Sequence, residues 1–304
     1  MGIWDEIKNS FKRGTSLTRL IYLNAFIFLI IKIIEVIGVL SGNAALAPLM
    51  VSYLAVPASV GALAGKPWTP LTYMFTHQGF IHIIFNMMWL WWFGKIFLNY
   101  LDQRKLVSLY LMGGLAGALL YIAVFNIFPA FAGTVHVSIA LGASASVMAL
   151  VIATAVYLPE LELHLLFLGR IKLKYLAIIT FFITSVFDFS VNTGGKIAHI
   201  GGALMGLGYG YGLKNGKDIG AWLNKILDFF VTLLKPGKKL KVTYKKPKTD
   251  TEFRKAKTDY DYNKVKAERQ KAIDHILDKI SKGGYDSLTR EEKEILFNES
   301  QNKG

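Results

Sequence analysis

Long runs of apolar residues constrain this chain more than any other feature of its sequence. Nearly all of them lie in residues 1–214, whereas residues 215–304 are dense in Lys, Glu and Asp. Only 18% of the residues are charged, where a soluble domain usually carries about a quarter. A helix needs about 20 mostly apolar residues to cross the hydrocarbon layer of a bilayer. The first region is therefore predicted to be a bundle of membrane-spanning helices.

Six stretches approach the length that a membrane-spanning helix requires. They are residues 20–40, 80–98, 106–128, 138–158, 173–189 and 195–213. Polar residues interrupt the second and the sixth, and such residues are costly in a bilayer and tend to mark function. We therefore predict an all-α polytopic membrane protein. Its parts are a cytoplasmic N-terminal segment (1–19), a six-span membrane domain (20–214) and a cytoplasmic tail (215–304).

The distribution of Lys and Arg orients the predicted spans. Positive residues precede the first span and separate the second from the third and the fourth from the fifth, whereas residues 129–137 contain none and residues 41–79 only Lys66. Because cytoplasmic connections carry the excess of positive charge, both termini are predicted to be cytoplasmic. No signal-peptide cleavage site follows the polar N-terminus, so the first span is expected to be retained.

The formal net charge of +14 favours contact with anionic lipid over binding of nucleic acid, because basic membrane proteins owe such an excess to their cytoplasmic segments. The absence of cysteine excludes disulfides, thiol nucleophiles and cysteine-based zinc sites. We expect neither a nucleic-acid partner nor a cofactor.

Spans two, four and six enter from the outer face in this topology, and each carries unusual polar residues within its first turns. His82 and Asn86 are four residues apart and so share one helix face. Ser144 follows Gly142 and Ala143, whose small side chains leave room around the hydroxyl. With His199 at the start of the sixth span, these residues are predicted to lie at one depth in the bilayer.

Small residues near His199 allow another helix to approach closely. Gly202 and Gly206 form a small-xxx-small ridge, a pattern typical of helix contacts in lipid. If the partner is span four, Ser144 meets His199. A serine hydroxyl becomes a nucleophile when a base takes its proton, and imidazole suits that role near neutral pH.

No carboxylate is predicted at the same outer depth. Glu35 lies in the first span and Asp188 at the end of the fifth, so a Ser-His dyad is favoured over a triad. Ser146 is a competing nucleophile, but two residues are about 200° apart around a helix, so only one hydroxyl can face His199. The Gly-Ala-Ser register favours Ser144.

Taken in order, three motifs resemble the signatures of the rhomboid intramembrane serine proteases: His82-x-x-x-Asn86, Gly142-Ala-Ser144 and Ala198-His199-x-x-Gly202-x-x-x-Gly206. The resemblance covers roughly residues 20–213. It implies a rhomboid-like bundle in which Ser144 attacks the scissile carbonyl and His199 shuttles the proton. The backbone around Ser144, together with His82 and Asn86, is then expected to bind the oxyanion, while Gly142, Gly202 and Gly206 serve helix packing.

The resemblance also makes span five similar to a lateral gate, which places Phe181, Phe182 and Phe187 near the route of substrate access. Two positions depart from the family pattern: Ala145 stands where Gly is typical, and Met148 where an aromatic ring often packs on the histidine. The predicted function is an intramembrane serine endopeptidase that cleaves the transmembrane segments of other proteins, in a prokaryotic inner membrane.

Other functions are compatible with parts of the pattern. A non-catalytic rhomboid-like protein that escorts membrane clients is the main alternative, although such relatives typically lack the serine or the histidine. A small transporter is disfavoured because the sequence has no two similar halves. A metal site at His77, His82, His136 and His199 is disfavoured because no carboxylate accompanies them, and His77 and His136 are interpreted as solvated loop residues.

The tail contains three predicted segments. Apolar residues recur with amphipathic spacing at Ile219, Trp222, Leu223, Ile226, Leu227, Phe230 and Leu233, which predicts an interfacial helix. Lys235–Lys248 contains seven lysines and no acid, a pattern that suits anionic headgroups or an ordinary solvated linker. A capping box at Thr289 and Glu292 then predicts a helical hairpin that docks an unknown cytoplasmic partner.

Overall fold

The computed structural model describes residues 5, 8, 10–11, 14–165, 169–187, 192–234 and 259–301. In chain order the elements are α1 (Ser16–Leu40), α2 (Leu46–Leu54), β1 (Val56–Pro57), α3 (Val60–Ala64), α4 (Thr69–Thr72), α5 (Phe80–Tyr100), α6 (Gln103–Ile127), β2 (Ile139–Ala140), α7 (Ser144–Tyr157), β3 (Glu162–Leu165), β4 (Gly169–Lys172), α8 (Leu173–Phe181), α9 (Thr193–Lys214), α10 (Ala221–Leu234), α11 (Asp259–Gly283) and α12 (Arg290–Gln301). A π-helical turn, Phe182–Val186, extends α8. The chain forms two compact units, Met1–Pro236 and Gly237–Gly304.

Helices stand at all six predicted positions, and the prediction of an all-α polytopic membrane protein is confirmed. Within the described part of the chain, α1, α5 and α6 are long and apolar enough to cross a membrane. α7 and α8 with its π turn are shorter apolar helices, and α9 is a glycine-rich helix of 22 residues. The count of six spans stays a prediction.

Two helices begin four or more residues away from the predicted position. α1 begins four residues early, at Ser16, because the Thr15 hydroxyl accepts a hydrogen bond from the Thr18 backbone N–H and caps the helix. α7 begins at Ser144 and not at residue 138. Residues 139–140 are instead held as strand β2, which pairs antiparallel with β1, and so they cannot join the helix.

The centre of the first unit is α7, whose side chains are buried along nearly its whole length. It packs against α9 through small residues on both helices. A side-chain carbon at Gly202, Gly206 or Gly210 of α9 would collide with the backbone of Ala145, Ala149 or Ala153 of α7, respectively. The predicted contact between spans four and six is therefore present, and its repeat of four residues extends over two turns beyond Gly202.

α1 is attached to the bundle by a buried polar link. Asn24 is fully buried, and its side-chain Nδ2 donates to the hydroxyl of Tyr110 on α6 at 3.2 Å. The Tyr110 hydroxyl in turn donates to the Met74 carbonyl at 2.9 Å. Asn24 and Tyr110 thus link α1, through α6, to the segment that leads into α5.

α10 packs on α6 through Leu223, which is buried, while Trp222, Ile226 and Phe230 are exposed. An ion pair of 3.1 Å joins Asp228 of this helix to Arg104 of α6. The predicted basic segment Lys235–Lys248 and the carboxylate Asp188 lie outside the described residues.

The second unit contains the helices α11 and α12. The capping box forms at the start of α12: the Thr289 backbone N–H donates to Glu292 Oε2 at 2.7 Å, and the Glu292 N–H to Thr289 Oγ1 at 3.3 Å. Lys279 of α11 also donates to both carboxylate oxygens of Glu292 at 2.9 Å. Ile276 and Leu288 are buried inside this unit.

Candidate active site

A cavity of about 310 Å³ opens among the first turns of α5, α7 and α9 and the last turns of α8. Ser144, His199, His82 and Asn86, which the sequence predicts at one depth, all line it. The remaining lining residues are Phe85, Trp89, Leu141, Val147, Met148, Val151, Thr180, Thr184, Asn192 and Gly195.

Ser144 is the first residue of α7 and is half-buried at the cavity wall. Gly142 turns the chain toward it with a φ of +117° and donates its N–H to the Tyr73 carbonyl at 2.9 Å. The first N–H groups of an α-helix lack intrahelical partners, and the helix dipole favours negative charge beside them. The Ser144 hydroxyl makes no hydrogen bond within the described residues, and the helix N-terminus beside it suits a developing oxyanion.

Ser146 has a different environment from Ser144. It is fully buried, and its hydroxyl lies 3.9 Å from the sulfur of Met74. A side-chain carbon on Gly114 of α6 would also lie 2.7 Å from Ser146 Oγ. Ser146 therefore faces the helix interface, as expected for the competing serine, and does not line the cavity.

His199 lies on the second turn of α9, whose N-cap is Asn192. Its Nδ1 lies 3.1 Å from the backbone carbonyl oxygen of Thr184 in the π-helical turn after α8. A carbonyl oxygen can only accept, so a hydrogen bond at this contact requires the proton on Nδ1 and leaves the lone pair on Nε2. That tautomer can act as a general base.

His82 and Asn86 occupy the wall of the cavity formed by α5. Asn86 is buried and donates one of its two N–H groups to the His82 carbonyl at 2.8 Å. The His82 ring lies against Gly142, where an added side-chain carbon would approach Cε1 to 2.8 Å. Gly142 lies in the turn before α7, and its missing side chain makes room for the imidazole of His82 on α5; its role in helix packing stays a prediction.

His77 lies beside the candidate site in a place that the sequence did not predict. It was interpreted as a solvated loop residue, but it is fully buried. Its Nε2 accepts the N–H of Ala143 at 3.2 Å, and its ring meets the edge of His82 at a centroid distance of 5.2 Å. The connection before α5 packs against the turn that precedes Ser144, and His77 is therefore inaccessible to water. His136, by contrast, is exposed.

The phenylalanines predicted for the gate do not line the cavity. Phe182 and Phe187 are 54% and 75% exposed, and Phe181 is half-buried against the core. Thr180 and Thr184 present the cavity-facing side of this segment instead. Their alternation with the phenylalanines follows from helical geometry, since residues three or four apart share a face.

Ala145 and Met148, the two residues that depart from the family pattern, lie in different environments. Met148 is buried and lines the cavity together with His199. The side chain of Ala145 instead packs toward Gly117 of α6, so its extra methyl is taken up between helices and does not narrow the cavity.

Among the described residues, no three His, Asp or Glu side chains are grouped so that they could hold a metal ion. Glu35 forms an ion pair with Lys32 at 2.6 Å on α1. The polar side chains that line the cavity are a serine, two threonines, two imidazoles and two carboxamides, and the serine and imidazoles are groups for nucleophilic and general-base chemistry.

Comparison with known proteins gives two family matches. A rhomboid domain matches residues 64–216, and a family of unknown function, DUF6576, matches residues 256–302. The first match contains every cavity-lining residue, and the second contains α11 and α12.

Similar curated proteins are the mitochondrial presenilin-associated rhomboid-like proteins. Protein A of Danio rerio is 30% identical over 149 residues, which are 45% of this chain and 36% of that protein. The proteins of Mus musculus and Homo sapiens are 29% and 28% identical, over 44% of this chain and 35% of theirs. The matched region thus spans about a third of the length of these relatives.

Proposed function

This chain belongs to the rhomboid family, and we propose that it is an intramembrane serine endopeptidase that hydrolyses peptide bonds in the transmembrane segments of other proteins. The observation that carries the proposal is the shared cavity. Ser144 at the N-terminus of α7 and His199 of α9 face it together, and Ser146 does not. The backbone contacts between Ala145 and Gly202 bring the two helices close at this depth.

In the proposed reaction, His199 Nε2 takes the proton of the Ser144 hydroxyl while Oγ attacks the scissile carbonyl carbon. The negative charge on the carbonyl oxygen is stabilised by the Ser144 N–H at the helix terminus and by donors from His82 and Asn86. When the C–N bond breaks, the imidazolium gives its proton to the leaving amine. Water then hydrolyses the acyl-enzyme by the same steps and regenerates the Ser144 hydroxyl.

Substrate access is proposed to occur beside α8, with Phe181, Phe182 and Phe187 along the outer route. Support comes from the two faces of this segment: Phe182 and Phe187 are on the exposed side, and Thr180 and Thr184 are on the cavity side. A helical substrate hides its carbonyls in backbone hydrogen bonds and must unwind before attack. Segments with Gly, Ala or Pro near the cleavage site are therefore the preferred substrates.

The test uses purified protein and a model transmembrane substrate. Ser144→Ala and His199→Ala should each abolish cleavage, whereas Ser146→Ala should retain it, because Ser146 lies between helices. Unchanged cleavage by Ser144→Ala or His199→Ala would reject the dyad. A parent protein that binds such substrates without cutting them would support the escort function.

We also propose that both termini lie in the cytoplasm of a prokaryotic cell, with the cavity opening toward the outer face of the inner membrane. The positive charge between the second and third and between the fourth and fifth helices supports this orientation. Reporter fusions after residue 214 test it: a reporter active only outside the cytoplasm should be silent there and active when inserted after residue 133.

The tail is proposed to contact anionic lipid through Lys235–Lys248, which follows α10 in the sequence; the exposed apolar side chains of α10 support a contact with lipid. Because the chain has no cysteine, a single fluorophore can be attached at Val242→Cys. Spin-labelled lipid should quench it more strongly as the anionic lipid content rises. Replacing the seven lysines with Gln should remove that dependence, and equal quenching in both proteins would contradict the contact.

A further inference from the structure

The end of α8 departs from a regular α-helix beside the cavity. From Phe182 to Val186 the backbone is π-helical, and the Phe187 N–H donates to the Phe182 carbonyl five residues earlier at 2.9 Å. Single π-helical turns are rare and are often found at functional sites. Near the end of a helix the last carbonyls also lack intrahelical partners, so they are free to accept hydrogen bonds from other elements.

One of these carbonyls meets the imidazole of the dyad. Thr184 O lies 3.1 Å from His199 Nδ1. A hydrogen bond at Nδ1 selects the tautomer and the ring orientation that leave Nε2 as the base. In a serine protease with a triad this task belongs to a carboxylate, but the described cavity walls contain none.

We propose that the Thr184 backbone carbonyl is the group that orients His199, so that the catalytic unit consists of Ser144, His199 and this carbonyl. The inference rests on the proposed function and deepens it. Thr184 acts as a positioning residue through its main chain. The end of α8 also lines the cavity. His199 is therefore correctly oriented only while this helix places the Thr184 carbonyl beside Nδ1.

The side chain of Thr184 helps to hold that carbonyl in place. Its hydroxyl donates to the Thr180 carbonyl at 2.8 Å, four residues earlier, and Thr180 makes the same kind of bond to Leu176 at 2.7 Å. Such bonds from threonine to the preceding turn bend helices. Both threonines line the cavity and donate to a carbonyl in the preceding turn. Only Thr184 also has its own carbonyl beside His199.

The most direct test changes the acceptor itself. Replacing Ser185 with its α-hydroxy acid turns the Thr184 carbonyl into an ester carbonyl, a weaker acceptor, and leaves every side chain at the cavity intact. The control places the same ester at residue 177, which weakens the Leu176 carbonyl, the acceptor of the Thr180 hydroxyl, and leaves the Thr180 carbonyl intact. The protonation of His199 is read from ¹⁵N NMR of the full-length protein in micelles, assigned by comparison with His199→Gln.

The unmodified protein should show His199 with its proton on Nδ1, and the ester at residue 185 should populate the Nε2-protonated tautomer. The value of kcat for a model substrate should fall about tenfold to a hundredfold, as expected when a catalytic group loses its orientation, with KM unchanged. The ester at residue 177 should change neither quantity. Thr184→Val should reproduce part of the loss, and Thr184→Ser should keep the kcat of the parent because its hydroxyl can make the same backward bond. Thr154→Val removes the same kind of bond on α7, away from the cavity lining, and should behave as the parent.

A proton on Nε2 in the unmodified protein would overturn the inference, and so would an ester at residue 185 that leaves both the tautomer and kcat unchanged. The spectra separate this inference from the proposed function. A parent protein that cuts nothing, but whose His199 shifts its tautomer with the ester, would refute proteolysis and leave the positioning role intact.

Discussion

The carbonyl oxygen of Ala145 lies so close to the α-carbon of Gly202 that a methyl group at position 202 would overlap it. Ala145 follows Ser144 directly, and Gly202 is three residues after His199. The spacing between the proposed nucleophile and base is thus set by a contact between two backbones, which only a glycine on α9 permits.

Gly202→Ala should separate α7 from α9 near the cavity. Overpacking of this kind typically lowers the free energy of unfolding by about 1–3 kcal/mol. A greater distance between Ser144 and His199 should also slow the reaction of Ser144 with a fluorophosphonate probe at least about tenfold, because misplaced catalytic groups react more slowly. Unfolding in mixed detergent micelles measures the first effect, and labelling rates measure the second. Gly208→Ala is the matched control, since the same helix leaves open space there, and equal effects at both positions would contradict the prediction.

The hydrogen bond that His77 Nε2 accepts from the Ala143 backbone N–H should be required for stability and activity. His77→Leu leaves the N–H of Ala143 without its partner, and an unsatisfied buried donor costs about 1–3 kcal/mol. His77→Gln can place an amide oxygen near the position of Nε2 and should recover most of the loss. Chemical unfolding and the rate of Ser144 labelling are the measurements. If Leu and Gln behave alike, the hydrogen bond to Ala143 has no role.

Tyr110→Phe should loosen the attachment of α1. The variant removes the hydroxyl that donates to Met74 O and accepts from Asn24, which leaves a buried carbonyl unpaired at a cost of about 1–3 kcal/mol. Hydrogen exchange should then increase in α1 and in the segment around Met74. Tyr175→Phe, at a site 53% exposed, should leave exchange unchanged. Faster exchange confined to α6 would argue against the link.

Acid should weaken the α11–α12 unit through Glu292. The Lys279 ammonium and the Thr289 backbone N–H lower the pKa of this carboxyl from 4.5 to about 2. A lowered pKa in the folded state means that the stabilisation is present above pH 4.5 and is lost as the pH falls toward 2. Hydrogen exchange of residues 285–301, corrected for its intrinsic pH dependence, should show that loss.

Glu292→Gln should show the same weak protection at pH 7 as the parent protein shows near pH 2. Glu294→Gln is the control, because Glu294 lies on the same helix and is exposed. Protection in the parent that stays constant from pH 5 to pH 2 would contradict the role of the Glu292 carboxylate.

The positions of the helices and of four cavity residues, His82, Asn86, Ser144 and His199, could be predicted from the sequence because their signals are local. An apolar run long enough to cross a bilayer marks a helix wherever it stands in the fold. The polar residues His82, Asn86, Ser144 and His199 line one cavity because each lies in the first two turns of α5, α7 or α9. Gly202 and Gly206 predict a close helix contact because lipid gives no other reason for a ridge of small residues.

Other features depended on which groups meet across the fold. The burial of His77, the place of the Gly142 turn against the His82 ring and the acceptor role of the Thr184 carbonyl were all absent from the predictions. No residue type in the sequence indicates which backbone carbonyl accepts a hydrogen bond from another helix, because every residue has a carbonyl. The sequence by itself determined which helices carry the polar groups of the cavity, whereas the tertiary structure decided which backbone groups hold them, since hydrogen bonds between distant segments form only when packing brings a donor to an acceptor.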